Sequence, residues 1–144
     1  MPNILSPKSG QAVQGNIVEL IVATPNYKIV DFEKYTKASP GTGHLHIWVD
    51  QTNFSKASAI KSASNIYKLS NLAPGPHTVT VELVSNNHSS FIPRNISSVS
   101  FATTPLLPEK PKSPLLLTLI TLVLLLIAAY LMLSKPKPTK KSKK

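Results

Sequence analysis

Two stretches decide the fold: His44-Leu45-His46-Ile47-Trp48-Val49-Asp50 and His77-Thr78-Val79-Thr80-Val81-Glu82-Leu83-Val84. In the first, Leu45, Ile47 and Val49 alternate with His44, His46, Trp48 and Asp50. In the second, Val79, Val81 and Leu83 recur at every other position. Successive side chains of a strand point to opposite faces, so a period of two with β-branched residues predicts half-buried strands. Working outward, Ile17–Ala23 is a β-branched run, and Asn95–Ala102 predicts a further strand through Ile96, Val99 and Phe101. Shorter apolar pieces stand at Ile4-Leu5, Lys28-Ile29-Val30 and Ile66-Tyr67-Lys68-Leu69. Ser39-Pro40-Gly41, Pro74-Gly75-Pro76 and Asn86-Asn87 supply the turns between them. Short strands punctuated in this way predict an all-β, immunoglobulin-like antiparallel sandwich over residues 1–103. No soluble segment keeps a helical period, although residues 54–63 could close a short helical turn.

Beyond the sandwich the composition changes. Residues 103–114, TTPLLPEKPKSP, hold four prolines. Proline lacks an amide donor and fixes its backbone angle, so 104–114 predicts an extended stalk. Residues 115–133, LLLTLITLVLLLIAAYLML, follow without a charge. Nineteen residues in a helix reach about 28 Å, close to the roughly 30 Å hydrocarbon core of a bilayer. Thr118 and Thr121 can bond back to the preceding turn, and Tyr130 suits an interface. A buried core helix is the alternative, but it needs a large domain to wrap it. The sequence therefore predicts one transmembrane helix over 115–133.

The charge is uneven. Residues 1–104 carry eight basic and five acidic side chains, whereas residues 105–144 carry eight lysines and one glutamate. Six of those lysines follow the apolar run, at 135, 137, 140, 141, 143 and 144. Cytoplasmic flanks collect Lys and Arg, which places tail 134–144 inside and residues 1–114 outside the cell membrane. No aromatic residue interleaves these lysines, so contact with anionic headgroups explains them better than nucleic acid does. The opening MPNILSPKSG has neither a basic segment nor an apolar stretch of the kind a secretory signal needs. Three routes stay open, in this order: a start upstream of Met1, export directed by the terminal helix, or a tail anchor with the domain in the cytosol. Cysteine is absent, so no disulfide forms. The N-x-S/T triplets at Asn53, Asn87 and Asn95 arise readily by chance in a chain rich in Asn and Ser.

The pattern Tyr67-x-Leu69-x-x-Leu72-x-Pro74-Gly75-x-His77-x-Val79-x-Val81 resembles the strand–turn–strand of immunoglobulin-like and fibronectin-type-III-like modules. With Ser6-Pro7-Lys8-Ser9-Gly10-x-x-Val13, Gly43-His44-x-His46-x-x-x-Asp50 and His88, the chain resembles an uncharacterised family of bacterial and archaeal exported Ig-like domains over about residues 4–103. The resemblance implies a sandwich and brings no biochemical role.

The four histidines carry the only candidate chemistry. His44 and His46, two apart on a strand, share a face, and imidazole is the commonest metal ligand. If strands 44–50 and 77–84 are antiparallel neighbours, the start of one lies beside the end of the other. His88 then falls near His44 and His46, while His77 falls at the far end near Asp50. The candidate site is His44, His46 and His88, suited to copper or zinc. The alternative is that His44 and His46 are ordinary residues of a solvated or partly covered face and that His77 only bonds backbone in its turn. Gly-x-His-x-His is also similar to the copper strand of copper–zinc superoxide dismutases, but the further ligands and the cysteine pair are missing. No cysteine nucleophile, G-x-S-x-G, P-loop or H-E-x-x-H occurs. Asp31 and Glu33 read as solvated. Leu107-Pro108-Glu109 is followed by Lys110-Pro111 rather than Thr-Gly, so it departs from a sortase signal and the helix is expected to stay as the anchor. The first expectation is a non-catalytic, membrane-anchored Ig-like module that binds an unidentified protein partner. The second is a surface copper- or zinc-binding protein.

Overall fold

A computed structural model describes residues 1–107 and 114–134, with the side chains of 114–117 excepted. Tail residues 135–144 and stalk residues 108–113 lie outside the described residues. The chain divides into two compact units, Met1–Leu107 and Pro108–Lys144.

The first unit is all β. Its strands are β1 (Asn3–Ser6), β2 (Ala12–Gln14), β3 (Val18–Ala23), β4 (Lys28–Ile29), β5 (Thr42–Val49), β6 (Ile60–Ser62), β7 (Ile66–Leu69), β8 (Gly75–Val84) and β9 (Ser90–Thr104). One sheet has the order β1-β3-β7 and the other β2-β9-β8-β5-β4, with β6 pairing β5. This is the all-β, two-sheet sandwich that the alternation predicts, although β2–β9 and β4–β5 pair parallel and not antiparallel. Val18, Leu20 and Val22 of the small sheet face Leu45, Ile47, Val79, Val81, Leu83 and Phe101 of the large one, and all are buried. Each such side chain contributes about 1.5–3 kcal/mol through its removal from water.

Strands β5 and β8 are antiparallel neighbours, with His44 opposite Val84, His46 opposite Glu82 and Ile47 opposite Val81. The β8–β9 register shifts between Leu83 and Val84, which pairs with Ser90. Gly43 opens the critical strand for a steric reason. A Cβ there would collide with the backbone carbonyl of Val84, so only glycine lets β5 approach β8 at this point.

The structure departs from the sequence reading in several places. The last strand begins at Ser90 and not at Asn95, because the β8–β9 hairpin continues past the register shift. Strand β2 pairs parallel with β9; three residues are too short to show a period. Residues 54–63 form no helix. Residues 56–58 make a turn closed by Ser55 and Ser58, and Ile60–Ser62 join β5 as β6. Asp31 and Glu33 lie in the loop after β4, where Asp31 Oδ1 accepts from the Glu33 amide at 3.0 Å.

In the second unit α1 covers Pro114–Leu133. Apolar side chains are exposed around its whole circumference, from Leu119 to Leu133. The Thr121 hydroxyl donates to the Thr118 carbonyl at 2.9 Å, the local back-bond expected of threonine in an apolar helix. Among the described residues no helix is long and apolar enough to cross a membrane. The first residues of the expected span fall among the side chains that are not described, so the span rests on hydropathy.

Candidate metal centre

Strand β5 presents His44 and His46 on the face opposite Leu45 and Ile47. That face is not solvated: His44 and His46 are 0% and 2% exposed. The alternative of ordinary histidines on a solvated or partly covered face does not hold for these two rings. The physical reason is non-local, since loops close over the sheet. Phe32, in the loop between β4 and β5, lies against His44 at 4.5 Å and His88 at 5.2 Å between ring centroids. Asn86 Nδ2 donates to the Lys37 carbonyl at 3.1 Å and to Thr42 Oγ1 at 3.0 Å, tying that loop to the β8–β9 turn. On the other side Phe54 packs on Trp48, whose Nε1 donates to the Ser55 carbonyl at 3.0 Å.

His88 arrives from the β8–β9 turn. The Ser85 carbonyl accepts from the His88 amide at 2.8 Å, and His88 takes a positive φ of 63°. The turn swings its ring over the start of β5. His44 Nε2 lies 2.8 Å from His88 Nδ1 and 3.2 Å from His46 Nε2, and His46 Nε2 lies 3.3 Å from His88 Nδ1. The three sequence-nominated histidines thus form one cluster.

The triangle has a chemical consequence. Each neutral imidazole nitrogen directs either one proton or one lone pair along its ring bisector. Three nitrogens that share a centre cannot all pair by hydrogen bonds, because at least one pair then sets donor against donor or lone pair against lone pair. A cation at the centre takes all three. For metal–nitrogen bonds of about 2.0–2.1 Å, angles between right and tetrahedral put the nitrogens about 2.8–3.4 Å apart. The observed separations of 2.8–3.3 Å match that range. When Nε2 of His44 is a ligand its proton sits on Nδ1, which is buried with no hydrogen-bond partner.

Electrostatics keep the rings neutral. Burial, then the neighbouring His46 and His88, pull His44 from 6.5 down to about 3. Burial and then His88 lower His46 to about 4. Burial, with Lys61 and Lys56, lowers His88 too. Neutral imidazole is the form that binds a metal, so protons compete weakly above mildly acid pH.

Sequence reasoning missed two neighbours. Glu82, 1% exposed, stands opposite His46 and is held by Arg94 of β9: Nε donates to Oε1 at 2.9 Å and the terminal amine to Oε2 at 2.5 Å. Burial alone would raise the Glu82 carboxyl, but hydrogen bonds from Arg94 and Ser90 outweigh it and lower it. A signal for Glu82 existed, since it shares the histidine face once β5 and β8 are paired. Arg94 had none, because its place depends on the register shift. His77 stays at the far end as expected, but it does more than bond its turn. Its Nδ1 meets Asp50 Oδ2 at 2.6 Å and its Nε2 meets the Ala73 carbonyl at 2.7 Å. With acceptors on both nitrogens the charged form of the ring is favoured, and the hydrogen bond to Asp50 is the main cause of its raised pKa.

No protein-family model matches the chain, and no curated protein sequence matches it. Among solved structures, a fibronectin(III)-like module of CbhA from Clostridium thermocellum aligns at 14% identity and a TM-score of 0.48, covering 75% of this chain and 99% of that one. CopC from Methylosinus trichosporium aligns at 12% identity and a TM-score of 0.35, covering 76% and 100%. Similarity at this level says nothing of what the present chain binds.

Proposed function

We propose that this protein is a non-catalytic, metal-binding Ig-like module that holds one copper or zinc ion through Nε2 of His44, Nε2 of His46 and Nδ1 of His88. The observation that carries the reading is the triangle of nitrogens with sides of 2.8–3.3 Å. Two ligands come from one rigid strand and the third from a turn, so the ion ties the β8–β9 turn to β5. In the same reading α1 anchors the module in the cell membrane, with residues 1–107 outside and the lysine-rich tail in the cytoplasm, as in the exported Ig-like domains that the sequence resembles. A helix apolar on all sides, and exposed on all of them, suits lipid better than water. An accessory or adhesive role toward a protein partner is compatible with this placement, and the metal would then be the module's cargo or its clasp.

Trp48, the only tryptophan in the chain, lies 5.9 Å from His46 between ring centroids. Titration with Cu(II) should quench its fluorescence at one equivalent, and Zn(II) should compete. His88→Asn keeps a residue tolerant of positive φ and should weaken binding at least about tenfold. His44→Ala/His46→Ala should abolish it. No binding of either ion at micromolar concentration would end the proposal. For the anchor, protease added to intact cells should cleave residues 1–107 and spare the tail; the reverse pattern would overturn the orientation.

A further inference from the structure

The cluster is unusual in its charge. Its three ligands are neutral, and among the described residues no carboxylate joins them. Glu82 is the nearest acid in the strand pairing, but both of its oxygens are engaged by Arg94. Around the site the free charges are positive. Lys61 stands directly opposite His46 in the β5–β6 pairing. Residues directly opposite on paired strands share a face, so its ammonium extends on the histidine side of the sheet. Lys56 lies in the turn just before β6, next to Ser55, whose carbonyl accepts from Nε1 of Trp48, the ring that packs against His46. Both lysines are exposed, whereas His44 and His46 are buried and His88 is partly exposed.

A divalent ion bound by three neutral nitrogens would sit in this desolvated place with its full charge and at least one unfilled position. Burying an uncompensated charge is costly, and neighbouring ammonium groups raise that cost. An anion bonded to the metal at about 2 Å removes both difficulties, because it neutralises the ion and pairs with the lysines. The lysines make no sense as metal-binding groups, but they fit as the outer half of an anion site.

We propose that the metal held by His44, His46 and His88 takes a small anion, a carboxylate or an inorganic one, as its remaining ligand, and that Lys56 and Lys61 attract and hold that anion. The inference rests on the metal-site reading above. It has an unusual signature: the two lysines should oppose binding of the bare ion and favour binding of the anion.

The test uses the full chain in detergent micelles with Co(II), whose visible spectrum reports coordination. Azide and acetate are titrated into the Co(II) form of the wild type and of Lys56→Ala/Lys61→Ala. At least one of the two should change the wild-type spectrum; a response to azide alone assigns an inorganic anion, and one to acetate alone a carboxylate. In the variant the anion affinity should fall about fivefold or more, while Co(II) affinity in a buffer free of coordinating anions should rise. Co(II) binding with a spectrum indifferent to both anions would overturn the inference and leave the metal site standing. So would equal anion affinities in the two proteins, or a variant that loses metal and anion binding together. A chain that binds no Co(II) would overturn both.

Discussion

Replacing Arg94 by methionine should destabilise the domain in a way that depends on pH. Glu82 is 1% exposed, and Arg94 holds both of its oxygens. Removing one partner of a buried pair leaves an uncompensated charge and costs about 3–5 kcal/mol. Arg94 is itself 45% exposed, so water reaches the carboxylate edge once the guanidinium is gone, and a loss of about 2–3 kcal/mol at pH 7 is expected. The wild-type Glu82 carboxyl is lowered below 4.5, so its pairing contributes stability above that value, and the contribution is lost as the pH falls. In Arg94→Met burial loses its main opponent, with only the Ser90 hydrogen bond and the nearby His46 left against it, and the carboxyl rises. The deficit should therefore shrink as the pH falls, because Glu82 takes its proton at a higher pH in the variant than in the wild type. Urea unfolding of residues 1–107, a compact unit with its own core, measures this at pH 7 and pH 4.5. The histidine cluster titrates in both proteins and largely cancels in the difference. Glu82→Gln/Arg94→Met should recover most of the loss, because no buried charge remains. Equal stability of wild type and Arg94→Met at pH 7, or a loss that persists undiminished in the double variant, would refute the reasoning.

Three further outcomes follow from the same geometry. The metal-free domain should lose stability as the pH falls from 6.5 toward about 4 and then about 3, since His44 and His46 stay neutral when folded but take protons when unfolded. The slope is up to about 1.4 kcal/mol per pH unit for each group, and a flat urea midpoint between pH 7 and pH 4.5 would contradict it. His77 has the opposite sign: its raised pKa contributes stability that is full below 6.5 and lost as the pH rises through the folded value. His77→Gln should therefore destabilise more at pH 6 than at pH 9, as thermal unfolding would reveal. Gly43→Ala should cost about 1–3 kcal/mol by forcing β5 away from the Val84 carbonyl. It should also weaken metal binding, and a fully stable Gly43→Ala domain would show that the close approach is not required.

Much of this was legible in the chain. Alternation at 44–50 and 77–84 reports a strand's two faces, and a β-sandwich needs little more than such strands and the turns between them. The pairing of those two strands then placed His88 beside His44 and His46, and His77 beside Asp50. The burial of the histidine face was not legible. Outward residues of a strand look alike whether water or a loop covers them, and Phe32, Phe54 and Asn86 close the face from segments with no period of their own.

By itself, then, the sequence determined the sandwich, the uncharged terminal run and the identity of the three histidines, because each depends on local periodicity or on a strand pairing that turns enforce. Only the tertiary structure decided that the three imidazoles meet within 3.3 Å in a buried place. It alone also set Arg94 on Glu82 and the lysines around the rim. Those features depend on a turn with a positive φ at His88, on a register shift between Leu83 and Val84, and on loops folding back over a sheet. Side chains distant in sequence acquire a common environment only when the backbone has already closed around them.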